Sequence, residues 1–169
     1  EASQRIMHNL RPAILEQGLV AALQWMAAQF EKRHRIACLF RTSHESMQLP
    51  TGVPLVAYRF AQEALTNVTK HAQATRVMID LSMSRGVLSL EVSDNGRGLG
   101  PDDLAKARSF GLRGLHERAT TVGGWVDISS DAAGTVLMLS VPMRRDGSPA
   151  SEADFDQDDD HDPTGWGTP

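Results

Sequence analysis

A chain of 169 residues, 41% of them hydrophobic, can bury one sizeable core and is one domain's worth of sequence. No apolar run is long enough to span a bilayer and no signal-peptide pattern opens the chain, which predicts a non-membrane segment placed in the cytoplasm. The net charge of -4 hides an asymmetry: eight of the 21 acids lie from Asp146 onward, leaving a body with 17 basic against 13 acidic residues. Such a body suits a polyphosphate ligand, and the absence of an aromatic-basic stripe argues against nucleic acid.

Glu1 to Asn9 reads as the end of a helix, broken at Leu10-Arg11-Pro12 because the residue before proline is pushed out of helical conformation. The start at Glu1 rather than Met predicts a piece of a longer protein. From Ala13 to His34, Leu15, Leu19, Val20, Leu23, Met26, Ala27 and Phe30 recur at helical spacing, with Gly18 as a weak point. Arg35 to Thr42 is strand-like. It holds the lone cysteine, Cys38, in the apolar run IACLF, which reads as a buried structural thiol and excludes an internal disulfide or cysteine zinc site. The six histidines are scattered without metal-ligand spacing.

After a loop, a helix runs from about Pro54 to Ala72. At about 100° per residue it places Glu63, Asn67, Lys70 and His71 in one narrow arc, while Ala57, Ala61, Ala64, Leu65 and Val68 form another. An acid, an amide, an ammonium and an imidazole in contact range make a candidate site; a solvated helix face is the alternative. Two strands, TRVMIDLSMS and VLSLEVSD, then alternate apolar and polar residues around Arg85-Gly86, as half-buried antiparallel strands do.

DNGRGLG, Asp94 to Gly100, is a glycine-rich turn directly after a strand. Pro101 opens a short helix at PDDLAKA, with acids in its first turn where the dipole favours them. Leu112 to Val122 reads as another helix, and Trp125 to Ser130 with Thr135 to Val141 as a closing hairpin. The expected fold is α+β: a two-layer sandwich with a mixed, mostly antiparallel sheet and helices on one face. From Asp146 the chain is acidic and almost without aliphatics, which predicts disorder, and its DQDDDHD run lacks calcium-loop spacing.

QEALTNVTKHA resembles the N box of the ATP-binding domain shared by sensor histidine kinases, gyrase, Hsp90 and the mismatch-repair ATPases, the GHKL superfamily. DNGRG resembles its G1 box and FGLRGLHERA its G2 region, and GTVLMLSVP resembles its closing strand. The LRP…GLVAAL opening and the GLRGLHERA ending are similar to sensor kinases related to the nitrate/nitrite and membrane-fluidity sensors. The resemblance covers about Ile6 to Met143.

It implies a domain that binds ATP with Mg²⁺ and donates the γ-phosphoryl group to a histidine on an upstream dimerisation helix, in a two-component system. The parent would be a homodimer, with a response regulator as partner. By the same resemblance, Asp94 accepts from the adenine amine, with Thr135 beside it, and Gly96 and Gly98 let the backbone turn sharply and approach the nucleotide. Asn67 offers an oxygen to Mg²⁺, Lys70 and His71 meet phosphate oxygens, and the amides around Gly111, Leu112 and Gly114 hold an anion. Glu63 orients the metal shell or the accepting histidine, or is a plain surface acid. Ser109 stands where many kinases have the first glycine of the G2 box, and the segment between the boxes is short, so the lid is expected to be small.

His8, in MHNLRP, lacks the acidic residue that follows an accepting histidine in the family. It reads as the last turn of a dimerisation helix. The expected organisation is therefore 1–12 helix end and linker, 13–143 ATP-binding domain, and 144–169 acidic tail. An anti-sigma-factor serine kinase of the same fold and a non-catalytic nucleotide-binding module are the alternatives.

Overall fold

The computed structural model describes residues 11–71 and 73–143. The sequence expectations for the helix end before residue 11, for His8 and for the acidic tail lie outside the described residues. A 3₁₀ turn, Ala13–Gln17, leads through Gly18 into helix α1, Leu19–His34, so the first periodic stretch is broken at Gly18. Lys32, Arg33 and His34 lie in the last turn of α1, where cations complement the helix dipole, and the helix stops at Arg35 in left-handed conformation. Strand β1, Ala37–Thr42, follows; then α2, Val53–His71; then β2, Arg76–Ser84, and β3, Val87–Asp94. The lid segment holds α3, Pro101–Lys106, and a π-helical turn, Ala107–Gly111, before α4, Arg113–Thr120. Strands β4, Trp125–Asp131, and β5, Gly134–Pro142, close the fold.

The sheet order is β1-β2-β3-β5-β4, with β1 parallel to β2 and the other pairs antiparallel. Only the parallel pair needs a long crossover, and α2 provides it. Register aligns the apolar residues in rows: Ile79, Val92, Leu137 and Ile128 form one, and Leu81, Leu90, Leu139 and Val126 the next. All eight are buried. Since alternate residues face opposite sides, Asp80, Glu91 and Asp127 share the other face in one row. Arg41 pairs with Asp80 on that face, a pair too exposed to add much stability. Helix α2 buries Ala57, Phe60, Ala61, Ala64, Leu65 and Val68, and α1 buries Leu19, Leu23, Met26 and Phe30. Small alanines on α2 let it sit close to the sheet, against β3 and β5.

Cys38 is half-buried, and burial pushes its thiol up to about 11, with Glu31 adding in the same direction. The thiol is thus half-buried rather than fully buried as the apolar run suggested, and it stays protonated at neutral pH.

Candidate nucleotide-binding site

A cavity of about 890 Å³ opens between α2, the sheet and the lid segment. Its polar groups come from separate elements. Asn67 projects from α2, half-buried, between Ala64 and Val68, which also line the cavity. Asp94 is the last residue of β3 and Thr135 the second of β5. Gly98 and Gly100 line it from the loop, Lys106, Ala107 and Gly111 from the lid, and Leu112 from the entry to α4. Val92, Ile128 and Leu137 extend the sheet's buried face into the cavity, so one wall is apolar.

Asp94 is held by its own turn: its Oδ1 accepts from Gly96 N–H at 2.8 Å. Its neighbour Asn95 clips the end of β3 to the start of β2. Asn95 Oδ1 accepts from Thr75 N–H at 3.0 Å and Arg76 N–H at 2.9 Å, and its Nδ2 donates to Thr75 Oγ1. The sequence showed Asn95 only as part of a turn; its bonding to residues 19 and 20 positions away exists only in the fold.

The loop and the β4–β5 turn interlock through two glycines. Gly98 has φ +71, and a Cβ there would overlap the Asp131 carbonyl. Gly134 has φ +141, and a Cβ there would overlap the Asp94 carbonyl. Both conditions favour glycine: left-handed backbone and no room for a side chain. The close approach made by Gly98 is thus to protein backbone as well as to the cavity. Gly134 was missed in the sequence because its partner is 40 positions away.

The remaining expected residues divide. Gly96 is buried and acts through its amide on Asp94 rather than lining the cavity. Glu63 and Lys70 are exposed on α2 and outside the cavity lining. His71 ends α2, and its side chain lies outside the described residues. Gly114 is exposed in the first turn of α4, with open space where a side chain would go. Leu112 is 3% exposed and is a packing residue of the cavity floor.

Two cations line the cavity that sequence reading left unassigned: Arg97, from the glycine-rich turn, and Lys106, from α3. Asp103 lies among them. The lid is pinned by Arg108, whose Nη2 donates to the Ile128 carbonyl at 3.0 Å, and Phe110 is 71% exposed on its rim. Leu112 N–H reaches Ala107 O at 3.0 Å, the spacing of a π-turn. Among the described residues no cluster of three or more His, Cys, Asp or Glu is placed to hold a metal ion. No helix among them is long and apolar enough to cross a membrane.

A family profile described as histidine kinase-, DNA gyrase B-, and HSP90-like ATPase matches residues 52–145. The chain is similar to the oxygen sensor histidine kinase NreB of Staphylococcus carnosus, 38% identical over 137 residues, which is 80% of this chain and 40% of NreB. It is also similar to the sensor histidine kinase MctS of Rhizobium johnstonii, 34% identical over 142 residues, 82% of this chain and 31% of MctS. The chain therefore spans less than half the length of these relatives. Among solved structures, the histidine kinase domain of a blue-light activated histidine kinase from Erythrobacter litoralis EL346 shares the fold. Its TM-score is 0.62 at 23% identity, covering 73% of this chain and 60% of that one.

Proposed function

Since the chain belongs to the histidine kinase-, DNA gyrase B-, and HSP90-like ATPase family, we propose that it is the ATP-binding catalytic domain of a sensor histidine kinase. In this reading it binds Mg·ATP and donates the γ-phosphoryl group to a histidine on a separate dimerisation helix. The whole protein is a homodimeric cytoplasmic-side kinase that serves a response regulator. The observation that carries the reading is the convergence, in one cavity, of two carboxylates, an amide, two cations and an apolar wall. An adenine ring needs an apolar slot with a hydrogen-bond reader at one end; a triphosphate needs cations and amides at the other.

Asp94 takes the base. One oxygen already serves Gly96, and the second accepts from the exocyclic amine. Val92, Ile128, Leu137 and Val68 exclude water around the ring. Arg97 and Lys106 line the phosphate end, with Lys70, outside the cavity lining, and His71 as further cations; the amides around Gly111 and Gly114 complete the anion cradle, the Leu112 N–H being taken by the Ala107 carbonyl. The donor set fits Mg²⁺: one neutral amide oxygen, Asn67, with no carboxylate cluster among the described residues, suits an ion that keeps its waters and arrives with the nucleotide. When bound, that ion neutralises charge on the phosphates. Glu63, one turn before Asn67, orients the water shell or the accepting imidazole. The chain's share of catalysis is positioning and charge neutralisation.

Asn67→Ala is expected to weaken Mg·ATP binding about tenfold and metal-free nucleotide much less, because the residue acts through the ion. Affinity measured with Mg²⁺ and with chelator separates the two; equal losses would place Asn67 directly on phosphate instead.

Incubated alone with labelled Mg·ATP, the chain is expected to bind nucleotide and acquire no phosphohistidine. Supplied with separate dimerisation helices of its parent protein, it should label a histidine there slowly, since the step is now bimolecular and lacks the effective concentration of a tether. Acid-labile label on His8 would overturn the separate acceptor. Label on a serine of an added protein would favour an anti-sigma-factor kinase, and tight binding without transfer a non-catalytic module.

A further inference from the structure

Ser130, on β4, does not line the cavity, yet its hydroxyl joins two residues that do. Its Oγ accepts from Leu99 N–H at 2.7 Å, at the root of the lid. The same Oγ lies 2.8 Å from Thr135 Oγ1, its cross-strand partner on the cavity floor, and 3.3 Å from the Gly134 carbonyl. A hydroxyl has one proton to give and two lone pairs to offer. With one lone pair taken by Leu99, the remaining choice fixes Thr135. If Ser130 donates to Thr135, the threonine proton is free for a ligand acceptor. If Ser130 donates to the Gly134 carbonyl, Thr135 donates to Ser130 and presents only lone pairs to the cavity.

We propose that Ser130 is a positioning residue for the nucleotide base: it sets which hydrogen-bonding character Thr135 shows to the ligand, and it ties that choice to the attachment of the lid through Leu99. This rests on the nucleotide reading given above. A purine ring nitrogen that accepts a hydrogen bond is matched by the first arrangement, and one that carries a proton is not. Where Ser130 donates to Thr135 Oγ1, at 2.8 Å the shorter of its two acceptor contacts, it sharpens selection of adenine over hypoxanthine without touching either. Close backbone approach of Gly98 to the Asp131 carbonyl and of Gly134 to the Asp94 carbonyl flanks Ser130 and Thr135 on both sides of this corner.

The test uses the full 169-residue chain, with ADP and inosine diphosphate as probes, and calorimetric or competition binding together with a thermal melt. Ser130→Ala is expected to weaken ADP about tenfold and inosine diphosphate less, lowering the ratio at least about threefold, the scale of one or two hydrogen bonds. Its melting temperature should change little. Thr135→Val should lower the ratio similarly, and the double variant should add little to either single change, because the two hydroxyls act as one unit. Where the alanine variant does not fold, Ser130→Cys, nearly isosteric but a weak donor, gives the same comparison. Unchanged ADP affinity in the Ser130 variant, equal losses for both nucleotides, or additive single effects would each overturn the proposal. Failure of the unsubstituted chain to bind ADP would instead overturn the nucleotide reading, and this inference with it.

Discussion

Asp94→Asn is expected to weaken ADP binding about 100-fold or more while moving the melting temperature by only a few degrees. The carboxylate serves two donors in the proposed complex: Gly96 N–H at 2.8 Å through Oδ1, and the adenine amine through the other oxygen. An asparagine has one oxygen and one NH₂, so it can accept from only one of them. The other meets a donor. Losing a hydrogen bond to a charged acceptor costs about 1.5–3 kcal/mol, and the mismatch adds to it, while tenfold in affinity is about 1.4 kcal/mol. The fold does not depend on this charge: β3 stays paired to β2, and Asn95 still clips Thr75 and Arg76. Titration calorimetry and a thermal melt check both halves. Binding within a few-fold of the unsubstituted chain would remove Asp94 as the base anchor.

Gly134→Ala is expected to damage stability and binding together. The added methyl group would overlap the Asp94 carbonyl, and φ +141 is a conformation that an L residue adopts only under strain. Backbone strain costs about 1–3 kcal/mol and overpacking a similar amount. For a domain of this size the sum corresponds to a fall of roughly 5–15 °C in melting temperature. Because the overlapped atom belongs to Asp94, the carboxylate must shift with it, and ADP affinity should fall by more than about tenfold, the cost of misaligning a charged hydrogen bond. Gly114→Ala is the comparison for stability. It sits in the first turn of α4 with nothing near its missing side chain, so alanine should leave the melting temperature unchanged or raise it. A Gly134→Ala chain that melts and binds like the original would mean that the interlock of the two turns does not hold Asp94.

Local pattern determined much of this protein. Period-two alternation in β2 and β3 and the helical spacing in α2 are visible in the residues because each element buries one face and wets the other. The glycine-rich turn after β3 is equally local, and its place at a strand end put Asp94 where the cavity is. The same local reading ran the last helix from Leu112, whereas the chain makes a π-helical turn through Gly111 and begins α4 at Arg113. Periodicity cannot see a bulged turn, which is set by what the lid packs against, such as Arg108 on the Ile128 carbonyl.

What only the tertiary structure decided is which residues meet. Thr135 joins Asp94 because β5 lies beside β3. Lys106 joins Asn67 because the lid segment and α2 line the same cavity. Ser130 reaches Leu99 across 31 positions, and Gly134 is fixed by a carbonyl 40 residues earlier. A sequence states each residue's chemistry and its neighbours within a turn or two. Contacts between distant segments depend on strand order and register, which arise when the whole sheet buries its apolar rows at once.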